Sequence, residues 1–430
     1  MDNAERGLPP SIIALFVVRL VVSAGSFVGP FLTMMLTIKL DFDEARAGFF
    51  MAAVSVVSAF GLALGGKLGD SFGRAGVLRS LQAITALAFI ACGVIGFTEL
   101  TPFIIALAMG SLSGTWPVIN ALVADRAPEG RRKEAFSLLY WGNNIGFSIG
   151  PLIAGFLFDK APRALFFGNA AALLIAAAVV SAFVRGKDPI HAEPAGPAGG
   201  PLGESAGGQA DVAARSAAAA RALGSPAKST LWTVLAANPV LVLYGLSSVL
   251  VAFVYNQHTF ALPLFLKDVL GSTEGPKAYG LTMMANGLTV VVLTALVAFV
   301  SKRMAALAAV ALGSVFYAAG FGGYYFAVTV PLVISMTVIW TIGEILGATN
   351  GNAFIAERAP PAYRSRINSA ISLCYIVGNT LSPLAAGPLV RRFGSAALWP
   401  VIAALSLLSA LLIFGIHVFD GRAKPRVMEA

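Results

Sequence analysis

Charge is scarce in this sequence. Only 12% of its 430 residues are Asp, Glu, Lys or Arg, about half the share of an ordinary soluble domain. So long a chain cannot dress a water-facing surface with so little, which excludes a soluble globular protein. Cysteine is rarer still. Cys92 and Cys374 are the only two, which excludes a disulfide framework and a thiolate metal motif; both read as small buried apolar side chains. No G-x-x-x-x-G-K-[ST] run is present, so the chain lacks the phosphate-cradling loop of an ATP-driven pump. The apolar segments hold no cluster of His, Asp and Glu and no Ser–His constellation, which argues against an enzyme and against a metal cofactor. Strands of alternating polarity, about ten residues each, do not occur, and that excludes an outer-membrane barrel.

Apolar sequence is what abounds. Hydrophobic residues make up 57% of the chain, and the mean hydropathy is +0.80. Runs of about 18 or more apolar residues, long enough to cross a bilayer as helices, recur along its length. They predict an all-α integral membrane protein of twelve transmembrane helices, at 12–37, 47–66, 77–98, 102–124, 134–158, 164–184, 239–264, 280–300, 305–325, 331–355, 366–390 and 396–419. The first follows MDNAERGLPPS, which has no small-residue cleavage site, and reads as a retained helix. The net charge of +9 fits loops that collect Lys and Arg better than a nucleic-acid partner. With both ends placed inside, the inner segments carry 21 basic residues and the outer loops 8; Arg19 lies within the first helix. That asymmetry points to a multi-pass protein of the cell (inner) membrane with both termini cytoplasmic.

Between the sixth and seventh helices the composition shifts to Gly, Ala and Pro. Residues 185–238 read as a flexible cytoplasmic linker, and ADVAARSAAAARAL within it could form a short surface helix. The linker divides the chain into a bundle of six helices at 1–184 and another of six at 239–430. The halves echo one another. VADRAPEGRR begins at Val123 and IAERAPPAYR at Ile355; Pro151 and Pro383 stand at the same separation of 232 positions. A repeat held at one offset through two successive helices is the mark of parallel repeats about an axis along the membrane normal.

Two motifs carry the rest. In the helix 2–3 loop, Gly66, Asp70, Gly73 and Arg74 are spaced G-x-x-x-D-x-x-G-R. Gly73 permits a tight turn, Asp70 can accept from a helix N-terminus or an Arg, and Arg74 can pair with a carboxylate. Together they suit a gating latch; the alternative is a turn decorated with solvated charge. Helix 5 reads GFSIGPLIAG, with Gly146, Gly150, Pro151 and Gly155, which gives close helix approach and a kink, or packing alone. On the six-plus-six layout and the 66–74 loop, the chain resembles the major facilitator superfamily over nearly its whole length. The helix 5 run is similar to the motif of its drug:proton antiporters, with Ala154 where a Gly is common; in the loop, Ser71 and Ala75 replace basic residues usual there. Helix 4 lacks the basic residue many of those antiporters carry.

The resemblance implies that helices 1, 4, 7 and 10 line a central cavity. Polar stripes at helical spacing agree with it: Arg19, Ser23 and Ser26 on helix 1, and Thr337, Thr341 and Glu344 on helix 10. Glu344, within WTIGEILGATNG, is the acidic residue set squarely inside a long apolar run. A carboxylate there is expensive and marks a functional site. With Arg19 as a nearby cation and His258 as a second titratable group, it forms the candidate proton-coupling set, against static pairing or helix packing. Ser23, Phe27, Trp116, Asn120, Tyr255, Asn256, Trp340 and Thr341 are the candidate substrate wall, suited to an amphipathic or hydrophobic small molecule. Asn256, Gln257 and His258 cannot share one face, so at least one should bond to a neighbouring helix. The expectation is a secondary transporter, a monomer that exports such compounds in exchange for protons by alternating access, with the proton gradient as its energy source and no cofactor. A proton-coupled importer of peptides or other metabolites is the alternative, and a non-transporting receptor or enzyme a distant one.

Overall fold

Proline opens five of the helices. Pro10, Pro102, Pro162, Pro239 and Pro331 stand at the first or second helical position, where a missing N–H loses no helical bond. The computed structural model describes residues 7–128, 130–184, 235–236, 238–360 and 363–423. Among the described residues there is no strand. The helices are α1 (Pro10–Ala24), α2 (Val28–Met34) with a π-helical turn at Met35–Lys39, α3 (Glu44–Phe72), α4 (Arg74–Ile95), α5 (Thr101–Arg126), α6 (Arg132–Lys160), α7 (Pro162–Phe183), α8 (Pro239–Tyr255) with a 3-10 turn at Asn256–His258, α9 (Ala261–Ser301), α10 (Ala306–Gly323) with a 3-10 turn at Tyr324–Phe326, α11 (Val330–Arg358), α12 (Arg364–Phe393) and α13 (Leu398–Ala423). The expected linker, apart from residues 235, 236 and 238, and the short helix proposed within it lie outside the described residues.

Ten stretches among the described residues are long and apolar enough to cross a membrane. The sequence reading expected twelve, and the difference has two sources. The stretch Pro239–Ser301 runs for 63 residues. It stays helical through 265–279, where a loop was expected, apart from Gly271 at φ 83° and ψ 172°. Helix α6, with Asn143, Asn144 and Ser148 at its centre, is not among the ten. Large apolar side chains such as Phe60, Leu87, Phe103, Val292 and Leu411 are exposed, as lipid rather than water requires.

Packing follows the repeat. Helix α1 lies on α6 and α7, α4 on α5 and α7, and α3 on α5; likewise α8 lies on α12 and α13, α10 on α11 and α13, and α9 on α11. The most extensive contacts between these sets, α6 on α9 and α3 on α12, are one contact made twice. A β-carbon at Gly280 would stand 2.5 Å from the Pro151 carbonyl oxygen, and one at Gly48 would press on that of Pro383. Gly48 and Gly280 are 232 positions apart, as are Pro151 and Pro383. Only glycine lets the backbones approach so closely. Further along, Gly155 faces the Pro276 carbonyl and Gly387 that of Glu44, at the same offset again. The repeat thus reaches into α3 and α9, beyond the helices in which the sequence displayed it.

Both sets also break a helix at the same place. Helix α1 stops at Ala24 and α8 at Tyr255. At the first break the Asn169 side-chain oxygen on α7 accepts the N–H groups of Phe27 and Val28, each at 3.2 Å, and so caps the orphan donors of α2. At the second, Asn256 Nδ2 donates to the Asn379 carbonyl at 3.2 Å. That carbonyl lacks its helical partner because Pro383, four residues on, has no N–H.

Candidate functional site

The breaks face a cavity of about 230 Å³ between the two sets. Its polar wall is Ser23 and Ser26 from the first break, Ser55 and Ser58 from α3, Ser113 from α5, Asn143 from α6, Tyr255, Asn256, His258 and Thr259 from the second break, and Tyr375 and Asn379 from α12. Apolar groups, among them Met51, Met109, Trp116 and Phe147, fill the spaces between them. No Asp, Glu, Lys or Arg is among the described residues that line it. Beside the cavity the two sets are joined by the Thr33 hydroxyl, which donates to the Thr259 carbonyl at 2.9 Å. Beyond it lie ion pairs between the sets, Arg391 with Asp43 at 3.5 Å and Lys267 with Glu44 at 3.8 Å.

Of the expected wall, Ser23, Trp116, Tyr255 and Asn256 line the cavity, and His258 with them. Phe27, Asn120, Trp340 and Thr341 are not among its lining residues. Phe27 sits instead against Gly168 of α7, because the break after α1 turns it aside. Trp340 is fully buried, stacked on Phe321 with centroids 5.2 Å apart, and its indole N–H donates to the Tyr324 hydroxyl at 2.7 Å. Thr341 donates to the Thr337 carbonyl one turn back, at 2.7 Å. The expectation that helix 10 forms a wall is corrected here. Helix α11 stands one layer back, screened by Tyr255 and His258, whose rings lie 6.1 and 5.6 Å from that of Trp340. Helices α3, α6 and α12 take its place.

Glu344 has no exposed surface. Its Oε1 accepts from the Tyr255 hydroxyl at 3.0 Å and its Oε2 from Asn286 Nδ2 at 2.8 Å. Asn286 also donates to Thr341 Oγ1 at 3.0 Å. The carboxyl therefore meets the cavity through Tyr255. Arg19 is buried and lies flat on Trp116, its guanidinium carbon 3.3 Å from the ring centroid, a geometry that satisfies a cation with little water. His258 Nδ1 is 2.6 Å from the Tyr255 carbonyl oxygen. Its neighbours bond to α12: Asn256 to the Asn379 carbonyl and Gln257 to the Ser382 hydroxyl at 2.9 Å.

In the helix 2–3 loop, Gly66 is buried within α3, and Gly73 takes φ 90°, a region that favours glycine. Arg74 stands 3.4 Å from Asp70 and makes a closer ion pair with Asp125 of α5. Asp125 belongs to the repeated VADRAPEGRR segment, so the two motifs meet. On helix 5, Gly146 and Gly150 pack on the α1 backbone, while Pro151 and Gly155 form the α9 contact. At the start of α6, Arg131 grips Glu134 with two 2.8 Å bonds, and these hold the Glu134 carboxyl below its ordinary range. Reading the sequence missed Asn286, Asn143, Asn169 and Asp125. Asn286, a lone amide in the apolar run of α9, carried the same signal as Glu344.

A cavity between two repeated helix sets, lined by broken helices and backed by a buried carboxyl, is the architecture of a secondary transporter. Comparison with known proteins agrees. The family profile described as Major Facilitator Superfamily matches residues 12–383, and the chain belongs to that superfamily of membrane-spanning transporters for small molecules. It is similar to a Na(+), Li(+), K(+)/H(+) antiporter of Planococcus maritimus, 24% identical over 421 residues, covering 90% of this chain and 91% of the relative. An uncharacterized MFS-type transporter of Bacillus subtilis, YqjV, is likewise 24% identical, over 93% of this chain and 90% of its own length. Among solved structures, a POT family transporter in complex with a thioalcohol conjugated peptide superposes with TM-score 0.74 at 15% identity, covering 96% of both chains. The nucleoside transporter NupG superposes with TM-score 0.73 at 14% identity, covering 94% of this chain and 99% of its own. At these identities the structures speak for the fold alone.

Proposed function

We propose that this chain is a proton-coupled antiporter that exports small amphipathic molecules across the inner membrane by alternating access. The observation that carries the reading is Glu344: fully buried, held by two neutral donors, and one residue behind a cavity wall without formal charge. An ionised carboxylate at the bilayer centre costs about 2.5–3.5 kcal/mol on insertion scales. Tyr255 and Asn286 can each serve it as donors, and the Tyr255 oxygen can accept once it is protonated, so the site can load and unload a proton without unfolding. The reading takes 239–301 as two crossings parted at Gly271 and counts α6 as a further one, giving twelve spans in two halves, 1–184 and 239–430, joined by 185–238. The basic-residue asymmetry supports cytoplasmic termini. The GFSIGPLIAG run supports the drug:proton antiporter branch, and Asp70 and Arg74 would act as the inner latch. The protein works as a monomer driven by the proton gradient.

The test is purified protein in vesicles with an imposed pH gradient. A lipophilic cation should accumulate in exchange for protons, and Glu344→Gln should abolish that accumulation while leaving the protein folded. Full pH-driven transport by the Gln variant would move attention to His258, and co-movement of a dipeptide with protons would overturn antiport. The relative from Planococcus maritimus favours one variant of this reading, in which the exchanged solute is an alkali cation. Na+, Li+ and K+ in the same vesicles decide between the two.

A further inference from the structure

Glu344 does not touch the cavity; Tyr255 does. Tyr255 lines the wall, and its hydroxyl donates to Glu344 Oε1 at 3.0 Å. The other described donor, Asn286, is 2% exposed and is not among the lining residues. A phenol has one proton to give and lone pairs to receive with. With its proton committed to the carboxylate, the Tyr255 oxygen still accepts.

We propose that Tyr255 is the positioning residue through which a bound ligand controls the proton on Glu344, and that the ligand is a small molecule presenting an N–H or O–H donor to the Tyr255 oxygen, a primary ammonium above all. The proposal rests on reading Glu344 as the proton carrier. A ligand N–H that donates to the Tyr255 oxygen completes a chain of N–H to phenol to carboxylate. Each bond in such a chain polarises the next, so the bound ligand favours the ionised form of Glu344. The carboxyl proton then leaves to water as the ligand arrives, which is the sign antiport requires. A ligand that offers only an acceptor has the opposite effect: it takes the Tyr255 proton and leaves the carboxyl to keep its own. The wall agrees with a donor. No Arg or Lys is among its lining residues and the Arg19 guanidinium lies against the Trp116 ring, whereas a cation gains the Glu344 charge across a single hydroxyl, against the several kcal/mol that an uncompensated ion loses on leaving water.

The other titratable groups near Glu344 come from each packed element. His258 adjoins Tyr255, with ring centroids 4.5 Å apart. Tyr317 of α10 faces Gly343 and lies 6.1 Å from the Tyr255 ring. Tyr324 is engaged by Trp340 and Thr337, and Tyr375 of α12 lines the cavity. Helix α9 presents the neutral Asn286 there. On the α1 side, the Arg19 guanidinium rests on Trp116 of the cavity wall.

Binding of benzylammonium and of benzyltrimethylammonium to the purified full-length protein in detergent tests this. Both probes carry a charge, but only the first has an N–H. Benzylammonium affinity should rise about tenfold per pH unit on the acid side of the Glu344 titration, with one proton released per ligand. The quaternary probe, which meets the Glu344 charge only through space, should release a smaller fraction of a proton with a shallower slope; Tyr255→Phe should bring benzylammonium down to that shallower slope, and Glu344→Gln should bind it independently of pH. A wild-type slope in Tyr255→Phe, or equal proton release by the quaternary probe, overturns the relay and leaves Glu344 as the carrier. A flat wild-type profile that matches Glu344→Gln overturns both readings. If Tyr255→Phe does not fold, infrared difference spectra of the wild type decide. Loss of a protonated carboxyl band together with a shift of a tyrosine C–O band supports the relay, and carboxyl loss without the tyrosine shift refutes it.

Discussion

Alanine at position 280 puts a methyl group where the Pro151 carbonyl oxygen now lies. A β-carbon there would stand 2.5 Å from that oxygen and 3.3 Å from the Gly155 Cα, whereas ordinary contact begins at 3.4 Å. Helices α6 and α9 would have to part by about 0.9 Å, the difference between 3.4 and 2.5 Å. Overpacking of this kind costs about 1–3 kcal/mol. Only the state in which these helices touch bears that cost. If alternating access opens this end, the open state escapes it, and the equilibrium moves towards opening by about 5–150-fold. The assay is a single cysteine at the cavity wall, Ser55→Cys, in a background with Cys92→Ala and Cys374→Ala. A membrane-impermeant maleimide is applied from the side that bears Asp43 and Arg391. Gly280→Ala should speed labelling by that factor, and Gly48→Ala, its repeat partner on α3, should act with the same sign. Unchanged labelling in a folded Gly280→Ala protein would refute the idea that the α6–α9 contact opens during the cycle.

Two further outcomes concern the loop and the charged start of α6. Arg74 pairs more closely with Asp125 than with Asp70, and the Asp125 side chain is 10% exposed against 35%. Asp125→Asn should therefore lower the stability in thermal unfolding by about 1–3 kcal/mol. Asp70→Asn should lower it by less than about 1 kcal/mol while still slowing transport; the reverse order of stabilities would show that Asp70 is the main anchor. At Glu134 the bonds from Arg131 hold the carboxyl below its ordinary range. A depressed carboxyl contributes stability above its unfolded-state titration and loses it as the pH falls through the folded one. Carboxyl-carbon NMR should find Glu134 titrating below the ordinary carboxylate range, and Arg131→Ala should bring it back.

The helices were legible because lipid leaves the backbone no other choice: apolar runs located nearly all of them to within a few residues. The stretch from 265 to 279 was misjudged because Lys267, Asp268, Glu274 and Lys277 look like a loop in sequence, yet the backbone there stays helical on both sides of Gly271. Glu344, Tyr255 and His258 stood out because a polar group in an apolar run must find a partner. Which partner was not legible. Bonding distance between Tyr255 and Glu344 depends on α8 breaking at Tyr255, and that break depends on Asn256 reaching a carbonyl freed by Pro383 on a helix more than a hundred residues away. Trp340 and Thr341 fell on the polar face of α11, but a helical stripe specifies a direction and not a depth. The layer formed by Tyr255 and His258 intervenes.

The repeat itself shows where the chemistry departs from symmetry. Ser23 and Tyr255 are 232 positions apart, each at a helix break and each lining the cavity. Ser23 spends its hydroxyl proton on Asn143 Oδ1 at 2.8 Å, a neutral pair, whereas Tyr255 gives its own to Glu344. The repeat partner of Glu344 is Leu112, and that of Arg19 is Val251. One half thus carries the buried carboxyl and the other the buried guanidinium, on a backbone that repeats down to the helix breaks. Packing needs the halves alike, because Gly48 with Pro383 and Gly280 with Pro151 must close the same contact. The proposed coupling needs them different. With Glu344 as the proton carrier, a second carboxyl behind the same cavity would hinder its ionisation, and a single site per molecule would give one proton a defined place to bind and a defined ligand with which to compete.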